Sequence, residues 1–246
     1  MAAAFEDAYR GRYGLAPVGE PAETVVLFAG EAAYRAFQER EAQLAGLAAS
    51  GHTVPGPVAL FDGGRGRAEV AGTLVHELAH LLNRRAIGPA LPSWLDEGIA
   101  DDLALSRIDE AGRLAPGTLG GAVVQEGHRR ELFGAPAVLH RLAAGIEEER
   151  LRPLPELLDL DWGPFVAGAG ARLHYAQASF WVRYLLDGEG GALAPAFRAF
   201  LAGVAAGGSV APEALRSRLS RSWEELEAGF RAWLLAEEAA MAAAAT

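Results

Sequence analysis

Residues 73–82 read TLVHELAHLL. His76 and His80 stand four apart, Glu77 follows the first histidine, and the surrounding positions are almost all apolar. On a helix, residues four apart share a face with their Cβ atoms about 6 Å apart. Two imidazoles so placed can reach one metal ion at about 2.0–2.1 Å each. Glu77, one step round the helix, would lie beside such an ion and take a proton from a water activated on it. The same ten residues also suit an amphipathic core helix that carries two histidines, and the motif alone leaves both readings open.

A catalytic zinc takes three protein ligands and keeps one position open, so two histidines are an incomplete set. The chain has no cysteine, which excludes thiolate ligands and disulfides and leaves His, Asp and Glu. The next segment, SWLDEGIADDLA from Ser93, supplies Glu97 as the candidate third ligand, with Asp101 four residues later on the same face. A metal-bound histidine normally donates its other ring N–H to a carboxylate, which is the role open to Asp101. Acidic residues also favour the first turn of any helix, and that accounts for Asp96 and Glu97 equally well. It does not account for Trp94, Leu95, Ile99 and Ala100, which would enclose Glu97 in apolar side chains, nor for Gly98, which would permit close helix approach.

The elements that must hold these residues follow from the pattern. Residues 1–20 read as a short helix and turn, 24–28 (TVVLF) as a buried strand, 30–50 as a helix with Tyr34, Phe37, Leu44 and Leu47 at near-helical spacing, and 58–61 (VALF) as a second strand. A helix is expected over about 68–83, stopped by the IGP at 87–89, and another from Pro92–Ser93 with Asp96 completing a cap. Residues 109–121 are Gly- and Pro-rich and read as loop. Helices are expected over 122–149, 153–159, 173–187, 191–206 and 211–243, with Ser222 and Glu225 as the capping box of the last. The expected class is α+β: an α/β part over 1–107 with a short sheet, and a mostly helical part over 108–246, together one catalytic unit with the site between them.

With 246 residues, 51% of them apolar and 22% charged, the chain can bury a substantial core. Its net charge of -10 argues against a nucleic-acid or anionic-membrane surface, which needs a basic patch. Every basic side chain is arginine; with so much Ala and Gly this reads as a coding bias, since the arginines form no block. No apolar run approaches the ~20 residues of a transmembrane helix. The opening MAAAFEDAYR has neither a basic nor an apolar leader region, so the cytoplasm is the default expectation unless an export segment was trimmed. His52, His128 and His140 have no ligand spacing and read as surface or loop residues.

HELAH at 76–80 followed by WLDEGIAD at 94–101 resembles the gluzincin zinc metallopeptidases, and within them the bacterial peptidase MA-like branch. The matched positions of the second segment are Trp94, Glu97, Gly98, Ala100 and Asp101. The resemblance implies a zincin-like fold, zinc held by His76, His80 and Glu97, Glu77 as general base, and Asp101 as the carboxylate behind a ligand. Sixteen residues separate His80 from Glu97, fewer than in the best-studied gluzincins, so the connecting loop must be tight. The segment HYAQASFWVRYLLDGEGG from His174 resembles a tyrosine-bearing helix of these families, which implies that Tyr175, or His174 after it, steadies the oxyanion. Tyr175 also suits a core aromatic stripe, as Phe180, Trp181 and Tyr184 do. In gluzincins the strand before the motif helix binds extended peptide along its edge, which would be 58–61 here. The implied function is hydrolysis of a peptide or protein substrate; the alternatives are a non-catalytic zinc-binding recognition scaffold and a plain helical domain without metal.

Overall fold

The computed structural model describes residues 2–19, 24–40, 51–53, 58–64, 66–109, 113–126 and 129–244. Helix α1 (Ala2–Tyr13) precedes a three-stranded sheet of β1 (Val25–Phe28), β2 (Gly51–His52) and β3 (Val58–Phe61), with α2 (Glu31–Gln38) after β1. Strand β3 is central. β1 runs parallel to it, Val25 opposite Val58, and β2 pairs antiparallel on its other side. The edge strand that the resemblance implies at 58–61 is therefore corrected: β3 is paired on both sides, and its four residues are buried because side chains of α2 cover one face and side chains of α3 the other. Leu44 and Leu47, expected on the second helix, lie outside the described residues, and α2 ends at Gln38.

The motif segment forms α3 (Arg67–Ala86), close to the expected range. Its apolar residues face two ways. Val75, Ala79 and Leu82 enter the main core, while Leu74, Leu78 and Leu81 pack on Val58 and Leu60 of β3. The remaining face, His76, His80 and Asn83 at i, i+4 and i+7, is directed at α4 (Ser93–Ala104). Only residues 87–92 connect the two helices, the tight loop that the short spacing demands.

Helix α4 is buried on almost every side, between α3 and α8 (Ala171–Asp187). Gly98 makes the second contact possible: a Cβ there would stand 2.8 Å from Val182 Cγ2 and 2.9 Å from the carbonyl oxygen of Ala178. The carbonyl belongs to a helix backbone and cannot turn aside. Gly98→Ala is expected to lose about 1–3 kcal/mol to overpacking against about 1 kcal/mol gained in helix propensity, a net loss to be read from denaturant unfolding.

After α4 the structure departs from the expected loop and helix. Within the expected loop over 109–121, residues 114–119 form β5 (Leu114–Leu119), paired antiparallel with β4 (Ser106–Ile108), and the Asp109 carboxylate accepts from the backbone N–H of Arg113 at 2.8 Å. Pro116 and Gly117 sit where the pairing slips between Ser106 and Arg107, which is where a strand tolerates them. The helix expected over 122–149 is instead a second hairpin, β6 (Gly121–Glu126) and β7 (Arg129–Gly134), followed by α5 (Ala135–Glu147). Val123 and Val124 favour a strand.

The remaining helices are α6 (Leu154–Leu158), α7 (Trp162–Val166), α9 (Ala194–Ala205), α10 (Pro212–Leu219) and α11 (Trp223–Ala244). The single helix expected over 211–243 is broken because Ser220 adopts a left-handed conformation, φ 54°. The capping box is present: Ser222 and Glu225 each accept the other's backbone N–H, at 3.2 and 2.8 Å.

One apolar cluster joins Tyr9 and Tyr13 of α1 and Trp94 and Ile99 of α4 to Trp181, Phe197 and Phe230. Phe180, Trp181 and Tyr184 belong to it, as expected of a core stripe. The class is mixed α+β, mostly helical with a small sheet. No described helix is long and apolar enough to cross a membrane.

Candidate metal centre

His76 Nε2, His80 Nε2 and Glu97 Oε2 converge. The two nitrogens are 3.1 Å apart, and Glu97 Oε2 lies 3.3 Å from the first and 3.6 Å from the second. Ligands about 2.05 Å from a tetrahedral centre are separated by about 3.3 Å, so these three spacings suit one ion. Among the described residues this is the cluster of His and carboxylate groups able to hold a metal.

The proton positions sharpen the fit. His76 Nδ1 faces Asp101 Oδ1 at 2.7 Å, and His80 Nδ1 faces Asp96 Oδ1 at 3.0 Å. A carboxylate can only accept, so each Nδ1 carries a hydrogen, and in the neutral imidazole each Nε2 turns a lone pair inward. Glu97 Oε2 is buried without a hydrogen-bond donor. Three such atoms facing one another in a buried space could share one cation. Protons and a metal ion are alternatives for that role. Burial would push His76 and His80 down, but Asp101 raises His76, and Asp96 and Glu97 lift His80 to about 10. Burial would likewise push Glu97 up, and the two histidines outweigh it and hold Glu97 at about 2.

Asp96 is a residue that sequence reasoning assigned to a cap. Pro92 is the N-cap and no side chain caps it. The Asp96 carboxylate accepts from His80 and, at 2.7 Å, from Asn83 Nδ2; Asn83 Oδ1 in turn accepts from Tyr9 OH at 2.9 Å. The ligand helix is thereby keyed to α1. A polar residue seven positions after His76, on the same face of an otherwise apolar helix, was the available signal for Asn83. Asp101→Asn and Asp96→Asn are each expected to weaken metal binding about 10–100-fold, measured by competition with a chromogenic chelator.

Glu77 is 6% exposed and lies against β2. A Cβ on Gly51 would stand 3.1 Å from Glu77 Oε1, so the strand backbone reaches the carboxylate only because residue 51 is glycine. Thr53 donates to the Glu77 carbonyl at 3.0 Å, and Arg84 donates to the Thr53 carbonyl at 3.0 Å, which ties this end of the sheet to α3. Burial raises the Glu77 carboxyl above its ordinary value, and attraction to His76 and His80 only partly opposes this. Its basicity is therefore increased.

Tyr175 comes from α8 and packs edge-on to Phe165 of α7, ring centroids 5.2 Å apart. Its hydroxyl has no partner among the described residues. Burial first, then Glu97, Asp101 and Glu77, push its ionisation upward, so the phenol stays protonated and close to the centre. His174 is directed elsewhere: its Nδ1 bonds the Phe165 carbonyl at 3.0 Å and its Nε2 accepts from Arg152 at 2.8 Å. Both nitrogens are used, which sets it aside as an oxyanion donor. His52 is not a surface residue but a buried one, bonded to Tyr34 OH at 2.9 Å and stacked on Phe37. It lies on a strand of two residues, too short for its alternation to be visible in sequence. His140 is exposed, as expected, and His128 lies outside the described residues.

A second group missing from the sequence reading is Asp102, next to Asp101 but turned the opposite way. It is fully buried and accepts from Arg12 Nη2 at 3.0 Å, Arg183 Nη2 at 2.8 Å and Tyr13 OH at 2.6 Å. Arg12 also bonds Asp187 at 2.8 Å. Adjacent carboxylates on α4 thus hold the histidine on one side and clamp α1 and α8 on the other. An arginine inside an apolar run, SFWVRYLL, was the signal for such a buried pair. The chain matches no protein-family model, and neither the curated proteins nor the solved structures return a match.

Proposed function

We propose that this protein is a zinc-dependent metallopeptidase of gluzincin type, with the fold of that class. The observation that carries the reading is the three inward acceptors, His76 Nε2, His80 Nε2 and Glu97 Oε2, with Nδ1–H of each histidine held by its own carboxylate. The HELAH and WLDEGIAD segments support it by resemblance. The donor set of two imidazoles and a carboxylate suits zinc, which when bound supplies an acidified water and polarises a carbonyl.

The chain's own residues then have distinct tasks. Glu77 takes the proton of the attacking water and passes it to the leaving amine. The Tyr175 hydroxyl donates to the carbonyl oxygen as charge develops there. Asp101 and Asp96 keep the imidazoles in one tautomer and one orientation. A recognition scaffold would have no use for a buried Glu77 of raised basicity, which favours the enzyme.

Metal analysis of the purified protein is expected to find about one zinc per chain, lost in His80→Ala. No metal in the wild-type protein would overturn the reading. Metal without hydrolysis of a mixed peptide library would leave the scaffold.

A further inference from the structure

Beside the candidate centre lies a cavity of about 260 Å³ between α4, α5 and α8. Asp101 and Tyr175 both line it, so it adjoins the centre directly. Its volume is below the ~300–1,000 Å³ of pockets that enclose drug-sized ligands, which suits one residue of a longer substrate. Leu105, Val138 and Ala176 give it an apolar wall, and Arg141 of α5 and Arg172 of α8 complete it.

Many arginines of this chain are engaged by carboxylates, among them Arg12, Arg113, Arg183, Arg216 and Arg221. Among the described residues others, such as Arg107 and Arg231, are not, so what sets Arg141 and Arg172 apart is their place on one cavity beside the candidate centre. Arg141 and Arg172 have no ion pair or hydrogen bond among the described residues, although both line a cavity that includes Asp101. Asp101 is engaged by His76. Two arginines lining one small pocket bring to it N–H donors of the kind that match a carboxylate. They also offset the repulsion that a chain of net charge -10 exerts on an anionic group.

We propose that this cavity is a subsite for a carboxylate-bearing residue of the substrate, adjacent to the bond cleaved. Arg141 and Arg172 receive the carboxylate, and Leu105, Val138 and Ala176 pack the short apolar stem behind it. The assignment rests on the peptidase reading for its place beside the reacting bond. Two sources share the chemistry: an aspartate or glutamate side chain within the peptide, and the free C-terminus of a chain.

Binding of blocked alanine-based tetrapeptides tests it, measured by calorimetry on Glu77→Gln protein, which prevents turnover, and on metal-stripped wild type. One pair differs only in glutamate against glutamine at the third position, the other only in a free against an amidated C-terminus. The carboxylate member of at least one pair is expected to bind about 10–100-fold more tightly, the range for charge-assisted hydrogen bonds. The pair that shows the preference identifies the source. The preference is expected to disappear in Arg141→Gln/Arg172→Gln, and to fall in the single Arg172→Gln change at an exposed position should the double variant unfold. Equal binding within both pairs, no binding at all, or a preference that survives loss of the arginines would overturn the proposal. A preference in wild-type protein that contains no metal as purified would sink the peptidase reading and leave the carboxylate site. Metal-dependent cleavage without the preference would do the reverse.

Discussion

Glu77→Gln is expected to lower kcat for peptide hydrolysis by about 10²–10⁴-fold, the contribution of a positioned general base, while metal content stays at the wild-type level. The substitution is nearly isosteric, so the contact with the Gly51 backbone and the Thr53 bond to the main chain at residue 77 are retained. What is lost is the lone pair that accepts the proton of water. Burial raises the basicity of Glu77, so its removal should cost more than the removal of an exposed carboxylate would. Steady-state kinetics beside metal analysis on the same preparation check this. Unchanged kcat would contradict the assignment of the base, and loss of metal would recast Glu77 as part of the ligand set.

The second large effect concerns stability. Asp102→Asn is expected to destabilise the fold by about 3–5 kcal/mol, because it leaves the buried Arg12 and Arg183 without their shared anion. Burial alone would push Asp102 up; Arg183 and Arg12 outweigh it and hold the carboxyl below its ordinary value. A depressed carboxyl contributes stability above its unfolded value, about 3.9, and loses it as the pH falls through the lower folded value. The gap between wild type and variant should thus be constant from neutral pH to about pH 5 and narrow only below about 3.9. Denaturant unfolding at several pH values measures both. A gap that persists undiminished in acid would show that the loss comes from packing and not from charge.

The two predictions concern α3 and its neighbour α4, and the contrast between them shows what a linear pattern can carry. Glu77 was identifiable because its relation to His76 and His80 is confined to one turn of helix, where the 3.6-residue period sets who shares a face. Glu97 and Asp101 were identifiable for the same reason within α4. Asp102 was not, although it lies next to Asp101, because its partners Arg12 and Arg183 are distant in the chain. Asp96 shows the same limit in milder form. An acidic residue in the first turn of a helix has a sufficient local explanation, and only the approach of α3 turns it towards His80.

The hairpins after α4 were misread for a different reason. Residues 121–134 are neither strongly helical nor strongly alternating in composition, and β6 and β7 owe their strand state to pairing with each other. β3 was recognised as a strand but not as the central one, since being an edge is a property of neighbours.

HELAH and WLDEGIAD marked His76, His80 and Glu97 as candidate ligands, Glu77 as candidate base and Asp101 as the carboxylate for one histidine, from motif spacing and the resemblance it carries. The convergence of His76, His80 and Glu97 on one point, the carboxylate behind the second histidine, and the cavity of Arg141 and Arg172 came only with the packing of α3 and α8 against α4 and of α5 against α8. Side chains far apart in the chain meet there because Gly98 lets two helix backbones approach and Asp102 holds them together.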